Sequence, residues 1–69
     1  MIINNLKSVM KKQGYNITKL SNDSGLHRNI ISNIINNKTN GIDYSTIDKL
    51  CKALNCQVGD LFIYIDNEE

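Results

Sequence analysis

Long apolar runs, histidine and cysteine are all scarce in this 69-residue chain, and each scarcity bears on what it can do. No apolar stretch approaches the roughly 20 residues that a membrane-spanning helix needs. With 41% hydrophobic and 22% charged residues, the composition is that of a soluble globular protein. Met1-Ile2-Ile3-Asn4-Asn5 has neither the positively charged start nor the longer apolar region of a secretory leader, so a cytoplasmic location is expected. The only cysteines, Cys51 and Cys56, have no second pair to complete a zinc set, and the single histidine, His27, is distant in sequence. No metal site is expected. Cys51 reads as a buried reduced thiol on the apolar side of a helix and Cys56 as a residue just past its end. No nucleophile with an adjacent base and no paired acids are evident, so an enzyme is not expected, and neither is a cofactor or small-molecule ligand. No repeat, linker or low-complexity segment divides the chain. A single domain over residues 1–69 is expected, near the lower size limit for a self-supporting core, with about 60% of the unfolded surface buried.

Net charge is only +1, but its distribution is uneven. Through Lys38 the chain carries Lys7, Lys11, Lys12, Lys19, Arg28 and Lys38 against Asp23 alone, a balance of +5. From Thr39 onward, Lys49 and Lys52 face Asp43, Asp48, Asp60, Asp66, Glu68 and Glu69, a balance of −4. Such a chain can offer phosphate a positive face while keeping a low overall charge, which limits non-specific binding. Chance asymmetry in a short sequence is the competing reading.

What is present centres on Asn16 to Lys38. Two short helical patterns flank Ser24-Gly25-Leu26, with Ile17, Leu20, Leu26, Ile30, Ile31, Ile34 and Ile35 placed to bury one stripe on each helix. Gly25 falls where the chain leaves the first helix sharply and a left-handed conformation is needed. His27 takes the N-cap position of the next helix, which runs roughly from Arg28 to Asn36. Arg28, Asn29, Ser32 and Asn33 then project from its exposed side. This is the layout of a helix-turn-helix, whose second helix reads base edges. Asn16, Thr18 and the free amides at the start of the first of these helices offer a natural phosphate contact. The polar segment Asn37-Lys38-Thr39-Asn40-Gly41 offers a second.

Around this motif, Asn5 or Asn4 can cap a first helix that turns Leu6, Val9 and Met10 inward and Lys7, Lys11 and Lys12 outward, with Gly14 closing it. Asp43 or Ser45 starts a fourth helix that places Ile47, Leu50, Cys51 and Leu54 on one side. A helical turn at Val58-Gly59-Asp60-Leu61 leads to Phe62-Ile63-Tyr64-Ile65, which reads as a strand. Two partners are open to that strand: Ile2-Ile3 at the other terminus, which is expected, or the same tail of a second molecule. Tyr15, Tyr44 and Tyr64 read as partly buried packing residues.

The chain resembles the compact Cro/C1-type (XRE-like) helix-turn-helix regulators over nearly its whole length. The resemblance rests on Leu6-Lys7-Ser8-Val9-Met10, Ile17-Thr18-Lys19-Leu20-Ser21, Gly25-Leu26-His27-Arg28-Asn29-Ile30-Ile31-Ser32-Asn33-Ile34 and Gly41-Ile42-Asp43. It is most specific in Leu50-Cys51-Lys52-Ala53-Leu54-Asn55-Cys56 followed by Gly59-Asp60-Leu61. It implies an all-α, five-helix DNA-binding domain, here with a small β pairing between its ends, that acts as a transcriptional regulator, commonly as a homodimer on an inverted repeat. Arg28, Asn29 and Asn33 match its base-reading positions, with Ser32 beside them, and Asn16, Thr18, Lys38 and Thr39 match its phosphate-contacting ones. Four positions depart from its pattern. His27 replaces the usual serine or threonine cap, and its imidazole is then either a plain cap or a phosphate contact. Ile17 replaces a polar residue, Ile35 stands where glutamate or tyrosine is usual, and Asn37 replaces a glycine. Ile35, if exposed, forms an apolar patch suited to a protein partner.

The expectation is therefore a regulator of double-stranded DNA, acting as a repressor by promoter occupancy. The alternative is a protein-interaction module, an antirepressor or heterodimer partner of another helix-turn-helix regulator, that does not itself read DNA.

Overall fold

The computed structural model describes residues 1–66, so Glu68 and Glu69 of the acidic half lie outside the described residues. Its elements follow in the order β1 (Ile2–Asn4), α1 (Leu6–Lys12), α2 (Ile17–Ser24), α3 (Arg28–Ile35), α4 (Tyr44–Leu54), α5 (Val58–Leu61) and β2 (Phe62–Tyr64). The fold is all-α with one small sheet. Leu6 and Met10 of α1, Leu20 of α2, Leu26 of the turn, Ile31 and Ile34 of α3, Leu50 and Leu54 of α4 and Leu61 of α5 form one buried cluster. Every helix thus contributes its apolar stripe to a shared core, and that burial outweighs the weak intrinsic stability of helices this short.

Helices α1 to α4 stop where the backbone turns left-handed. Gly14 (φ 76°) ends α1 with its amide on the Lys11 carbonyl and the Tyr15 amide on that of Met10, a Schellman closure. Asn37 (φ 57°) does the same after α3, with its own amide on Ile34 and the Lys38 amide on Asn33. Asparagine tolerates this geometry in place of glycine because its short polar side chain bonds locally. After α4, Asn55 (φ 52°) turns the chain so that the Cys56 amide reaches the Cys51 carbonyl. The two half-buried thiols consequently meet as the apolar contact that accompanies such a closure. Burial first, then the neighbouring Cys51, raises the Cys56 thiol above its ordinary pKa.

The chain ends pair with each other. β1 and β2 are antiparallel, with Ile2 opposite Tyr64, Ile3 opposite Ile63 and Asn4 opposite Phe62. The Met1 ammonium and carbonyl extend the ladder to Ile65. This settles the partner of the C-terminal strand within the chain.

Several expectations need correction. Ile30, assigned to the buried stripe, is 40% exposed. Tyr44 and Tyr64, read as packing residues, are 90% and 68% exposed, whereas Tyr15 is half-buried against the core. Tyr64 pairs with the exposed Ile2 at the end of the sheet, two residues beyond the Phe62 that packs against the core. Ile35, whose exposure the sequence left open, is partly buried against the core, and Cys51 is half-buried rather than buried. Helix α3 ends at Ile35, one residue early, with Asn36 at its C-cap. Asn5 stands at the N-cap of α1 without a side-chain bond, and the Asn4 side chain accepts the Leu6 amide instead. Asp43, not Ser45, stands at the N-cap of α4, also without a side-chain bond.

Candidate nucleic-acid interface

The recognition surface begins with how α3 is held. Helix α2 ends at Gly25 (φ 78°), whose amide reaches the Ser21 carbonyl. A side chain there would meet no neighbour but would have to adopt a backbone conformation that L-residues rarely accept. Two serines of α2 then fix the turn through Leu26: Ser21 Oγ donates to its carbonyl at 2.6 Å, and Ser24 Oγ accepts its amide at 3.1 Å. With Leu26, Ile31 and Ile34 buried, α3 has one rotational setting about its axis.

That setting turns Arg28, Asn29 and Asn33 to solvent. Within the described residues none of these three side chains is engaged in a hydrogen bond or ion pair, so their donors and acceptors are open. Ser32 is half-buried, and its Oγ accepts from Asn36 Nδ2 at 3.3 Å, which leaves the hydroxyl proton free to donate. Arginine can grip guanine O6 and N7 with two hydrogen bonds, and asparagine can do the same at adenine N6 and N7.

The candidate phosphate contacts fall into two groups. Asn16 caps α2, its Oδ1 accepting the Lys19 amide at 2.7 Å and its Nδ2 hydrogens remaining available. The Leu20 amide already reaches the Asn16 carbonyl, so the Ile17 and Thr18 amides are the open donors at this positive helix end. Lys7 and Lys11 of α1 line the same hollow as Asn16 and Thr18, together with Asn36 at the C-cap of α3. The sequence reading turned these two lysines outward on α1, and their spacing of four puts them on one face of it.

The second group lies around the start and end of α3. His27 occupies the N-cap, exposed and without a side-chain cap bond, so the imidazole leaves the Arg28 and Asn29 amides open. Lys38 is exposed and fixed to α3 by its amide bond to Asn33 at 2.8 Å. Thr39 Oγ1 donates to the Gly41 carbonyl at 2.7 Å, so its hydroxyl must rotate away before it can serve an outside acceptor. Thr39 and Asn33 share a hollow with Ile30, which brings a base-reading and a phosphate candidate together. Arg28 and Asn29 line neither hollow and stand on the open first turn of α3. Ile30, assigned to the core for its apolar character, borders this hollow instead.

On the flank of α2, Lys19 Nζ lies 4.9 Å from the Tyr15 ring centroid, in cation–π range. The Tyr15 hydroxyl is shared between Asp23 Oδ2 (2.8 Å) and the Ala53 carbonyl (3.2 Å), which ties α2 to α4. The bond to Asp23 raises the Tyr15 pKa. Among the described residues no three His, Cys, Asp or Glu side chains cluster in a way that could hold a metal ion, and no helix is long and apolar enough to cross a membrane.

Residues 5–67 match the Cro/C1-type HTH DNA-binding domain. A protein of Bacillus subtilis (strain 168), described as the uncharacterized HTH-type transcriptional regulator YozG, is 35% identical over 68 residues, which cover 99% of this chain and 81% of that protein. With α2, the turn at Gly25 and the exposed polar face of α3 in place, the chain belongs to the Cro/C1-type helix-turn-helix DNA-binding family.

Proposed function

We propose that this chain is a sequence-specific transcriptional regulator that places α3 in the major groove of double-stranded DNA and represses by occupying a promoter. One observation carries the reading: Arg28, Asn29 and Asn33 are exposed and unengaged on a helix whose opposite face is locked into the core. Those three residues and Ser32 read bases, while Asn16, Thr18, His27, Lys38 and Thr39 contact phosphates. Residues 1–69 act as one DNA-binding unit in the cytoplasm, with no catalytic role. Occupancy is the mode of regulation that needs nothing beyond the DNA-binding surface. A single α3 reads too few base pairs for high specificity, so two copies on an inverted repeat, with half-sites about 34 Å apart, supply the rest.

A protein-only role, as antirepressor or heterodimer partner, is favoured by one feature. Ile2 and Tyr64, paired at the end of the sheet, are 63% and 68% exposed. Selection of the purified protein against a random duplex library separates the readings. An enriched inverted repeat, lost in the Arg28→Ala/Asn33→Ala variant, is expected. No enrichment at low salt would overturn DNA reading and turn attention to a protein partner.

A further inference from the structure

We propose that Ile30 is a specificity-determining residue that reads the C5-methyl group of a thymine next to the base pair held by Asn33. This rests on the DNA-reading role argued above. Along α3, Ile31 and Ile34 are 0% and 3% exposed, while Ile30 keeps 40% of its surface in water. It is the third residue of the helix, in the first turn, and the N-terminal residues of a recognition helix are those that reach base edges. Its side chain borders the hollow shared by Asn33 and Thr39, between a base-reading and a phosphate-contacting group. The apolar group that the major-groove edge of a base pair offers is the thymine methyl, which no polar residue of α3 can recognise.

Ile30 and Asn33 are three positions apart and therefore neighbours on the helix surface. With Asn33 bonded to an adenine, Ile30 meets the methyl of a thymine in the adjacent pair. The operator is then expected to carry a thymine in the pair beside the adenine read by Asn33. Polar readers alone would leave that thymine interchangeable with any pyrimidine that keeps its hydrogen-bonding edge.

The test uses the duplex recovered from library selection, with each thymidine replaced in turn by deoxyuridine, which removes the methyl and nothing else. For the parent protein, one thymidine per half-site is expected to lose about threefold to fivefold in affinity on substitution, the size set by one buried methyl group. For Ile30→Ala the same substitution should be neutral, and Ile30→Val should restore part of the sensitivity. An operator that binds well but shows no methyl-sensitive thymine, or one whose sensitivity survives in Ile30→Ala, overturns the assignment of Ile30 and leaves the regulator reading standing. Failure to recover any operator overturns both.

Discussion

Asn4 is the side chain whose removal should most simply test how this fold holds its recognition helix. It ends β1, is half-buried, and does two things at once. Its Oδ1 accepts the Leu6 amide at 2.8 Å, satisfying a donor at the start of α1, and its Nδ2 donates to the Ile34 carbonyl in the last turn of α3. The terminal sheet, α1 and the recognition helix are thus joined through one amide. In Asn4→Ala both bonds go. The Leu6 amide is left without a partner, whereas the Ile34 carbonyl keeps the Asn37 amide at 3.1 Å. Loss of a neutral hydrogen bond costs about 1 kcal/mol, and an unsatisfied buried group about 1–3 kcal/mol. Water reaches part of this half-buried site, so about 2 kcal/mol in all is expected. Domains of this size carry roughly 0.05–0.15 kcal/mol of stability per residue, so the loss is a large fraction of the total. At about 4–8 °C per kcal/mol, the thermal midpoint should fall by about 8–16 °C. Thermal and urea unfolding followed by far-UV circular dichroism would measure it, with an unchanged urea slope confirming that the same surface unfolds. Asn4→Asp retains an acceptor for Leu6 but turns a carboxylate oxygen toward the Ile34 carbonyl, so at neutral pH it should also melt below the parent. An alanine variant that melts within about 3 °C of the parent would refute the latch.

Other perturbations separate reading from scaffolding. Arg28→Ala or Asn33→Ala should lower affinity for the selected operator by about 1–3 kcal/mol and relax preference at one base position, measured by fluorescence anisotropy on single-base variants. Lys38→Ala should instead weaken all duplexes alike and reduce the slope of log K against log salt by about 1, and a base-specific loss would refute the phosphate role. Gly25→Ala should cost about 1–2 kcal/mol through backbone strain alone, since the added methyl meets nothing; an unchanged urea midpoint would contradict a left-handed Gly25. Tyr15 gives a pH test. Its folded pKa is raised above the unfolded value of about 10, so the stability it contributes is full below pH 10 and lost as pH rises through the folded value. The parent should therefore lose stability at alkaline pH more steeply than Tyr15→Phe, and parallel pH profiles would rule out the bond to Asp23.

What the sequence discloses and what it hides follow from the range of the forces involved. The helices, the Gly25 turn and the pairing of Ile2-Ile3 with the C-terminal strand are legible because periodicity, left-handed backbone and β-branched composition are local signals. Arg28, Asn29 and Asn33 are legible as a face because the helix repeat decides it. Asn4 is not, because its amide reaches a carbonyl 30 residues away. Nor are Ser21 and Ser24, whose hydroxyls satisfy Leu26 in a geometry that exists only once the turn has formed.

Ile30 escapes for a more instructive reason. At about 100° per residue, Ile30, Ile34, Ile31 and Ile35 span an arc of about 140° on α3, wider than the strip a neighbouring layer has to cover. The middle two are buried, while Ile30 and Ile35 at the edges keep part of their surface open. Pattern gives the centre of an apolar stripe reliably and its edges poorly, because how far the core wraps a helix depends on neighbours that the local sequence does not name. On the Ile35 edge the flanking elements cover the side chain against the core. On the Ile30 edge lies the hollow bordered by Asn33 and Thr39, so the surplus of the stripe falls on the surface proposed to meet DNA. An isoleucine there lowers water solubility and adds little to the core. The benefit proposed for it comes on the DNA, where the methyl-bearing edge of a thymine can bury it.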